Sequence, residues 1–480
     1  MMRNPGLGEE MEAGSTGKVP ERGKHGKPSR QQIELVVGKE CCLKGAPEAL
    51  QEKIRSALTI DNPKYKAAQR YGRWIGKQLK PTLSFYTQCG GDLCFPRGFG
   101  NQAVRICRSL AGATPQVVDK RWRCDPLALE FKGELRPYQR DAVEAVCRHS
   151  FGVLEAGTGS GKTVMALDII ARRRQPTLVI VHSKELLFQW KERIAQFLDI
   201  SAGQAGDGVL DLQPVTVAIV NTARKQLDTL PHLFGHIIVD ECHRVPASLF
   251  TDVVAAFDSY YMLGLSATAF RREDGMTKLI YTYMGDRIHR VASEELAASG
   301  AVVLPEFIQR ATEFTYGYRG EYAKLIKALA KNEQRNLQIA GDVAELIKKG
   351  HHGTILLVSD RVAHCEIFAE LLRARDVHVA LLTGQVGKEQ REQIVQDVLQ
   401  GKVEVLISTI QLIGEGFDCP GLTTLILATP IKFAGRLLQV VGRIMRPAPG
   451  KKAVVIDYVD EHVPVLRRSA VNRRELFADW

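Results

Sequence analysis

The chain has 480 residues, 45% hydrophobic and 25% charged, enough for about three domains with sizeable cores. Sixty-five Lys and Arg against 54 Asp and Glu leave a net charge of +11, which suits a polyanionic partner. No run of 18 apolar residues occurs, so a helix that spans a membrane is excluded.

Residues 1–30 are polar and lack the apolar stretch of a secretory signal. They are expected to form a disordered tail on a cytoplasmic protein, nucleoid-associated if the source is bacterial or phage. The ten cysteines (41, 42, 89, 94, 107, 124, 147, 242, 365 and 419) include no C-x-x-C pair. They are expected to be reduced thiols, small buried hydrophobes rather than metal ligands. Residues 31–130 hold 16 Lys and Arg against 9 Asp and Glu, most of the excess charge, and predict a small basic α+β domain. Within it Asn62-Pro63 supplies a helix start. Lys66, Arg70, Arg73 and Lys77 follow at spacings of 4, 3 and 4, one stripe at helical period suited to nucleic-acid phosphates. Leu83–Tyr86 and Asp92–Pro96 predict short strands around a Gly-Gly turn.

From Leu135 the pattern changes to short apolar runs alternating with helical stretches. Gly152–Leu154, Leu178–Val181, Val217–Val220, Ile237–Val239 and Met262–Leu265 form one set. Ile355–Val358, Val379–Leu382, Val405–Ile407, Leu425–Leu427 and Val454–Ile456 form a second. Near-continuous apolar runs are how strands buried on both faces of a parallel sheet look in sequence. The fold expected is α/β, two tandem doubly wound parallel-sheet lobes at 131–300 and 301–480.

The segment Ala156-Gly157-Thr158-Gly159-Ser160-Gly161-Lys162-Thr163 follows a predicted strand and opens a predicted helix, the setting of a phosphate-binding loop. Its glycines let backbone N–H groups face the phosphates of ATP, Lys162 would reach the β- and γ-phosphates, and Thr163 would ligate Mg²⁺. The first position holds Ala156 where the general pattern has Gly. An apolar strand next ends in Asp240-Glu241-Cys242-His243: Asp240 suits Mg²⁺, and Glu241 the attacking water. In the second lobe, Gln439-Val440-Val441-Gly442-Arg443-Ile444-Met445-Arg446 places two arginines three apart, on one face if helical. They could neutralise a transferring γ-phosphoryl group from across a cleft. His182 and His243 lack companions for a metal site and are expected to be structural or cleft-coupling.

This set resembles the superfamily 2 DEAD/DEAH-box helicases over residues 135–460, with finer likeness to the XPB-like and UvsW-like branch. Leu135-Arg136-Pro137-Tyr138-Gln139 matches the adenine-reading motif. Ser266-Ala267-Thr268 matches the motif that couples hydrolysis to nucleic-acid movement. Gly414-Glu415-Gly416-Phe417-Asp418 and Gln439–Arg446 match motifs five and six. Arg272-Glu273-Asp274, Ser359-Asp360-Arg361 and Thr383-Gly384 fit the XPB-like branch. The resemblance implies RecA-like lobes, Gln139 on adenine, Asp418 on the ribose, and Gln439 at the γ-phosphate or its water. It implies coupling roles for His243, Ser266, Ala267, Thr268, Gly414, Glu415 and Gly416. It also implies backbone contacts to nucleic acid, DNA before RNA, from Ser183, Lys184, Thr222, Ser359, Thr383 and Thr409. Between Val291 and Tyr318 there is little room for the thumb-like insertion of XPB-type proteins. The activity implied is an ATP-dependent helicase acting on duplex or branched DNA in repair or recombination, able to work as a monomer. A duplex translocase or annealing motor, and an RNA helicase, share the same motifs. A non-enzymatic ATP-gated module is disfavoured by intact Lys162, Glu241 and Arg446. A transporter ATPase is disfavoured because no Leu-Ser-Gly-Gly signature is present.

Overall fold

A computed structural model describes residues 33–70, 79–112, 114–243, 247–267, 277–414, 419, 421–432 and 434–477. The expectations for the N-terminal tail, Arg73, Lys77, Thr268, Arg272–Asp274, Glu415, Gly416 and Asp418 lie outside the described residues.

Two parallel-sheet lobes carry the α/β fold. In the first, strands Phe151–Ala156, Thr177–Val181, Val215–Ile219, His236–Val239 and Tyr261–Ser266 run parallel. They coincide with the five apolar runs, except that Val220 opens the helix Val220–Lys225. Strand Arg287–Val291 closes one edge beside Phe151–Ala156. A hairpin, Gly203–Gly206 with Val209–Asp211, closes the other. The second lobe is a six-stranded, all-parallel sheet in which Glu306–Ala311 forms the edge, followed in space by Val454–Val459, Leu422–Leu427, Thr354–Ser359, Val405–Thr409 and Val379–Leu382. Helices cover both faces of each sheet, as strands apolar on both sides require. Between Val291 and Glu306 runs only one short helix, Ser293–Ala298.

The N-terminal unit holds a five-stranded sheet in the spatial order Thr87–Cys89, Asp92–Pro96, Glu40–Lys44, Glu34–Val37 and Gln116–Asp119. Its core gathers Leu35, Leu43, Ile54, Phe95, Phe99 and Cys107. Cys42 and Cys94 face each other across paired strands, 4.2 Å between Cα atoms, and form a disulfide. This corrects the expectation of ten reduced thiols: a register that sets two cysteines directly opposite places their sulfurs within bonding reach, and sequence spacing does not show it. The unit is pinned to the first lobe by Arg97, which is 2% exposed and donates to the Ser259 carbonyl (2.7 Å) and to Met262 Sδ (3.4 Å). Burial holds the Arg97 pKa down, to about 10. Gly98 sits so close to the Tyr283–Gly285 backbone that a Cβ would lie 2.5 Å from Gly285 N.

Candidate ATP site and nucleic-acid interface

The phosphate loop joins strand Phe151–Ala156 to helix Lys162–Arg173. Gly159 and Gly161 take left-handed backbone (φ +86° and +80°), open to glycine at little cost. A side chain at Gly161 would collide with Gln139 Nε2. Gln139 is held at both ends: its Oε1 accepts from the Arg136 N–H (2.9 Å), and its Nε2 donates to the Ser160 carbonyl (2.9 Å). The Tyr138 hydroxyl donates to that same carbonyl (2.9 Å). The adenine-motif helix thus clamps the loop. Lys162 Nζ lies 3.1 Å from the Ala156 carbonyl and 3.5 Å from Glu241 Oε1. Thr163 is half-buried in the first turn of its helix.

Asp240 and Glu241 follow strand His236–Val239 directly. Asp240 is buried, and Glu241 has φ +45°, a conformation L residues rarely hold. Such a residue costs on the order of 1–3 kcal/mol. Here it sets the carboxylate between Lys162 and His243 (Nδ1–Oε2 3.3 Å). Burial, then the neighbouring Glu241 carboxylate, raises the Asp240 pKa above the usual range, while Trp190 and Lys162 oppose the shift. Asp240, a carboxyl that resists ionisation, and the carboxylate next to it form a donor set a divalent cation would neutralise.

His243 reaches across the cleft. Its Nδ1 lies 2.9 Å from Ser266 Oγ, and its Nε2 lies 3.3 Å from Gln439 Nε2. Ala267, half-buried, follows Ser266 at the strand end. Gly442 abuts the phosphate loop so tightly that a Cβ there would lie 2.6 Å from Thr158 Cβ. The Gln439–Arg446 segment therefore meets Asp240–His243 and the phosphate loop at a seam between the lobes. The condition for a shared helical face is not met. Helix Ala434–Val441 ends before the arginines; Gly442, Arg443 and Ile444 continue as turns, and Arg446 lies outside any helix or strand. The two arginines share a loop, not a helical face, because Gly442 weakens helix continuation. Arg443 Nε donates to the Ile413 carbonyl in its own lobe (3.1 Å). That bond lies beside Gly414, the last residue of helix Ile410–Gly414. Ser160 Oγ and Gln439 Oε1 are buried and lack a hydrogen-bond partner among the described residues.

The proposed nucleic-acid contacts Ser183, Thr222, Ser359, Thr383 and Thr409 all fall at or just past the carboxyl ends of parallel strands. In doubly wound folds that edge is where ligands bind. Ser183 caps helix Lys184–Leu198, accepting from the Leu186 N–H (3.4 Å). Lys184 is paired with Asp207 at the hairpin tip (2.6 Å). Thr222 and Thr409 are half-buried. Thr383 is buried, and so is Ser359, whose Oγ lies 2.8 Å from His364 Nδ1. The first cation of the accessory stripe, Lys66, pairs with Asp61 (2.6 Å), an acid five residues before it. Its helix is described over Pro63–Arg70, with Asn62 Oδ1 accepting from the Lys64 N–H (3.0 Å).

Residues 132–271 match the family described as type III restriction enzyme, res subunit, and residues 339–448 match the helicase conserved C-terminal domain. The DNA 3'-5' translocase XPB2 of Sulfurisphaera tokodaii is 29% identical over 382 residues, 72% of this chain and 86% of the relative. This chain is a superfamily 2 helicase of the XPB-like type. A putative ATP-dependent RNA helicase of Acanthamoeba polyphaga mimivirus is 28% identical to this helicase over 367 residues, 73% of the chain and 68% of the relative. The solved structure of S. cerevisiae Dbp5 bound to RNA and ADP BeF3 superposes with a TM-score of 0.50 at 14% identity, covering 72% of the chain and 88% of Dbp5, and shares the two-lobed fold. The helicase is a nucleic-acid-dependent ATPase. Among the described residues no helix is long and apolar enough to cross a membrane.

Proposed function

We propose that the helicase hydrolyses ATP at the seam between its lobes and uses the lobe motion to move on DNA, unwinding or remodelling branched duplexes in repair or recombination. The observation that carries this reading is the seating of Gln439 and Gly442 of one lobe on His243 and Thr158 of the other. Lys162 and the loop amides bind the triphosphate, Thr163 and Asp240 hold Mg²⁺, and Glu241 orients water. Bound Mg²⁺ supplies charge neutralisation at the β- and γ-phosphates. Arg446, assisted by Arg443, stabilises charge on the γ-phosphoryl in the transition state. Ser160 Oγ and Gln439 Oε1, buried without partners, gain them from the phosphates and the attacking water. Gln139, clamped to the loop, transmits adenine occupancy to it, and Asp418 holds the ribose. The XPB2 relative, a DNA 3'-5' translocase, favours DNA. Residues 31–130 serve as a nucleic-acid-binding accessory domain beside lobes 131–300 and 301–480, and the two-lobed motor works as a monomer.

The short Val291–Glu306 connection favours a second reading, translocation along duplex without strand separation, since no inserted thumb is available there to part strands. Measuring ATP turnover with single-stranded, double-stranded, forked and RNA cofactors, alongside release of a labelled strand from the fork, separates the readings. Fork-stimulated turnover with strand release supports unwinding; turnover without release supports translocation; stimulation by RNA alone refutes the DNA assignment.

A further inference from the structure

Helix Lys184–Leu198 runs from the proposed nucleic-acid contacts to the candidate ATP site. Its head carries the proposed nucleic-acid contacts Ser183 and Lys184. Seven residues beyond Ser183, about 10 Å along the axis, Trp190 is 1% exposed, and its indole N–H donates to Asp240 Oδ2 at 2.8 Å. The other carboxylate oxygen, Oδ1, accepts from the Glu241 N–H at 2.9 Å. Both oxygens of the proposed metal ligand are thus oriented, one by the neighbouring backbone and one by a side chain on a different element. Leu187, Ile194 and Leu198 are buried along with Trp190, so the indole is carried by the helix as a body. At the head, Lys184 pairs with Asp207 (2.6 Å), both side chains at least a third exposed, and sits over the Phe188 ring; the ion pair is one that an arriving phosphate would compete for.

Packing alone does not require this arrangement. Phenylalanine fills a core without a donor, and a buried indole N–H has to find an acceptor. Here the acceptor is a carboxylate, which makes the bond charge-assisted. Outer hydrogen bonds to metal-holding groups set their orientation, and removing one typically costs about 10–100-fold in metal affinity or activity. We propose that Trp190 is a positioning residue that transmits nucleic-acid engagement at the head of this helix to the metal-holding carboxylate of Asp240. The inference rests on the reading of Asp240 as the Mg²⁺ ligand and of Ser183 and Lys184 as nucleic-acid contacts.

The indole N–H resonance of Trp190, assigned by its loss in Trp190→Phe, reads the contact without an activity assay. Mg²⁺ with ADP is expected to shift it, and single-stranded DNA added alone is expected to shift it as well. In parallel, Trp190→Phe should lower the DNA-stimulated ATPase rate about tenfold more than the unstimulated rate. A resonance indifferent to DNA, or equal loss of both rates, overturns the proposal. Should Trp190→Phe fail to fold, replacing the other three of the four tryptophans assigns the same resonance, and the DNA titration still decides. Asp240→Asn distinguishes the two ways of failing. If it binds Mg²⁺ with ADP as tightly as the parent, the metal reading is wrong. If it loses Mg²⁺ while the parent's resonance ignores DNA, only the relay is wrong. Either result overturns the proposal.

Discussion

Glu241 shows what one residue contributes and what its letter conceals. The Asp-Glu pair after an apolar strand was legible in sequence because acids at a strand tip near a phosphate loop have few other uses. The left-handed backbone that turns Glu241 toward Lys162 and His243 was not, because no glycine or asparagine announces it. Trp190 was missed for a related reason: its position in a helical pattern indicates only core, and its indole N–H partner lies fifty residues away at Asp240. Glu241→Gln should keep ATP binding and lower hydrolysis at least about a hundredfold, leaving an ATP-bound protein clamped on nucleic acid. Single-turnover hydrolysis at the parental rate would refute the water-orienting role. Arg446→Ala should reduce turnover by about a thousandfold with only a few-fold loss of ATP affinity, because an arginine finger acts mainly in the transition state. Turnover and nucleotide binding measured on the same preparation check this; a large affinity loss with intact turnover would move Arg446 to ground-state binding.

Among elements, the strands buried on both faces were the most legible, since their apolar runs have no competing explanation. Two strands near the sheet margins were not. Glu306–Ala311 alternates charged, apolar and polar residues and lies half-exposed, and the Gly203–Gly206 strand has two glycines among its four residues; neither carries a run. Nor does spacing alone show that helix Ala434–Val441 stops at Gly442, short of the two arginines. The second lobe is held internally by buried polar groups that sequence gives no means to pair. Arg335 and Asp460, each 1% exposed, are 2.7 Å apart, with Thr312 Oγ1 donating to the same carboxylate (2.6 Å). Arg335→Leu should destabilise this lobe by about 3–5 kcal/mol by stranding a buried charge, and adding Asp460→Leu should recover part of the loss. Urea unfolding followed in the second lobe measures both; a single-variant cost below about 1 kcal/mol would contradict the assignment.

His364 bridges Ser359 and Asn336 inside the same lobe, and burial pushes its pKa down to about 3. The unfolded chain takes up this proton near pH 6.5, the folded chain only near pH 3. The stabilisation is therefore complete above pH 6.5 and declines as pH falls toward 3, by about 2 kcal/mol at pH 5. The melting temperature should drop between pH 7 and pH 5, and drop less in His364→Gln. Equal drops would place the sensitivity elsewhere.

For the whole molecule, the central claim is that the lobes close on one another and that this closure completes the ATP site. Motif order along the chain implied two lobes, but contact between them is a long-range property no local pattern encodes. The accessory unit is likewise fixed by long-range contacts, with Arg97 buried against the first lobe and Arg105 paired with Asp286 (2.8 Å). Gly442 offers the most direct test of closure. A Cβ there would stand 2.6 Å from Thr158 Cβ and Cγ2 across the seam, so Gly442→Val should wedge the lobes apart while leaving the phosphate loop intact. Steady-state turnover with saturating nucleic acid, measured beside the affinity for a fluorescent ADP, decides the matter. The account predicts turnover reduced at least about a hundredfold with ADP affinity changed only a few-fold. Parental turnover in Gly442→Val would contradict it, because hydrolysis would then not require the two lobes to meet.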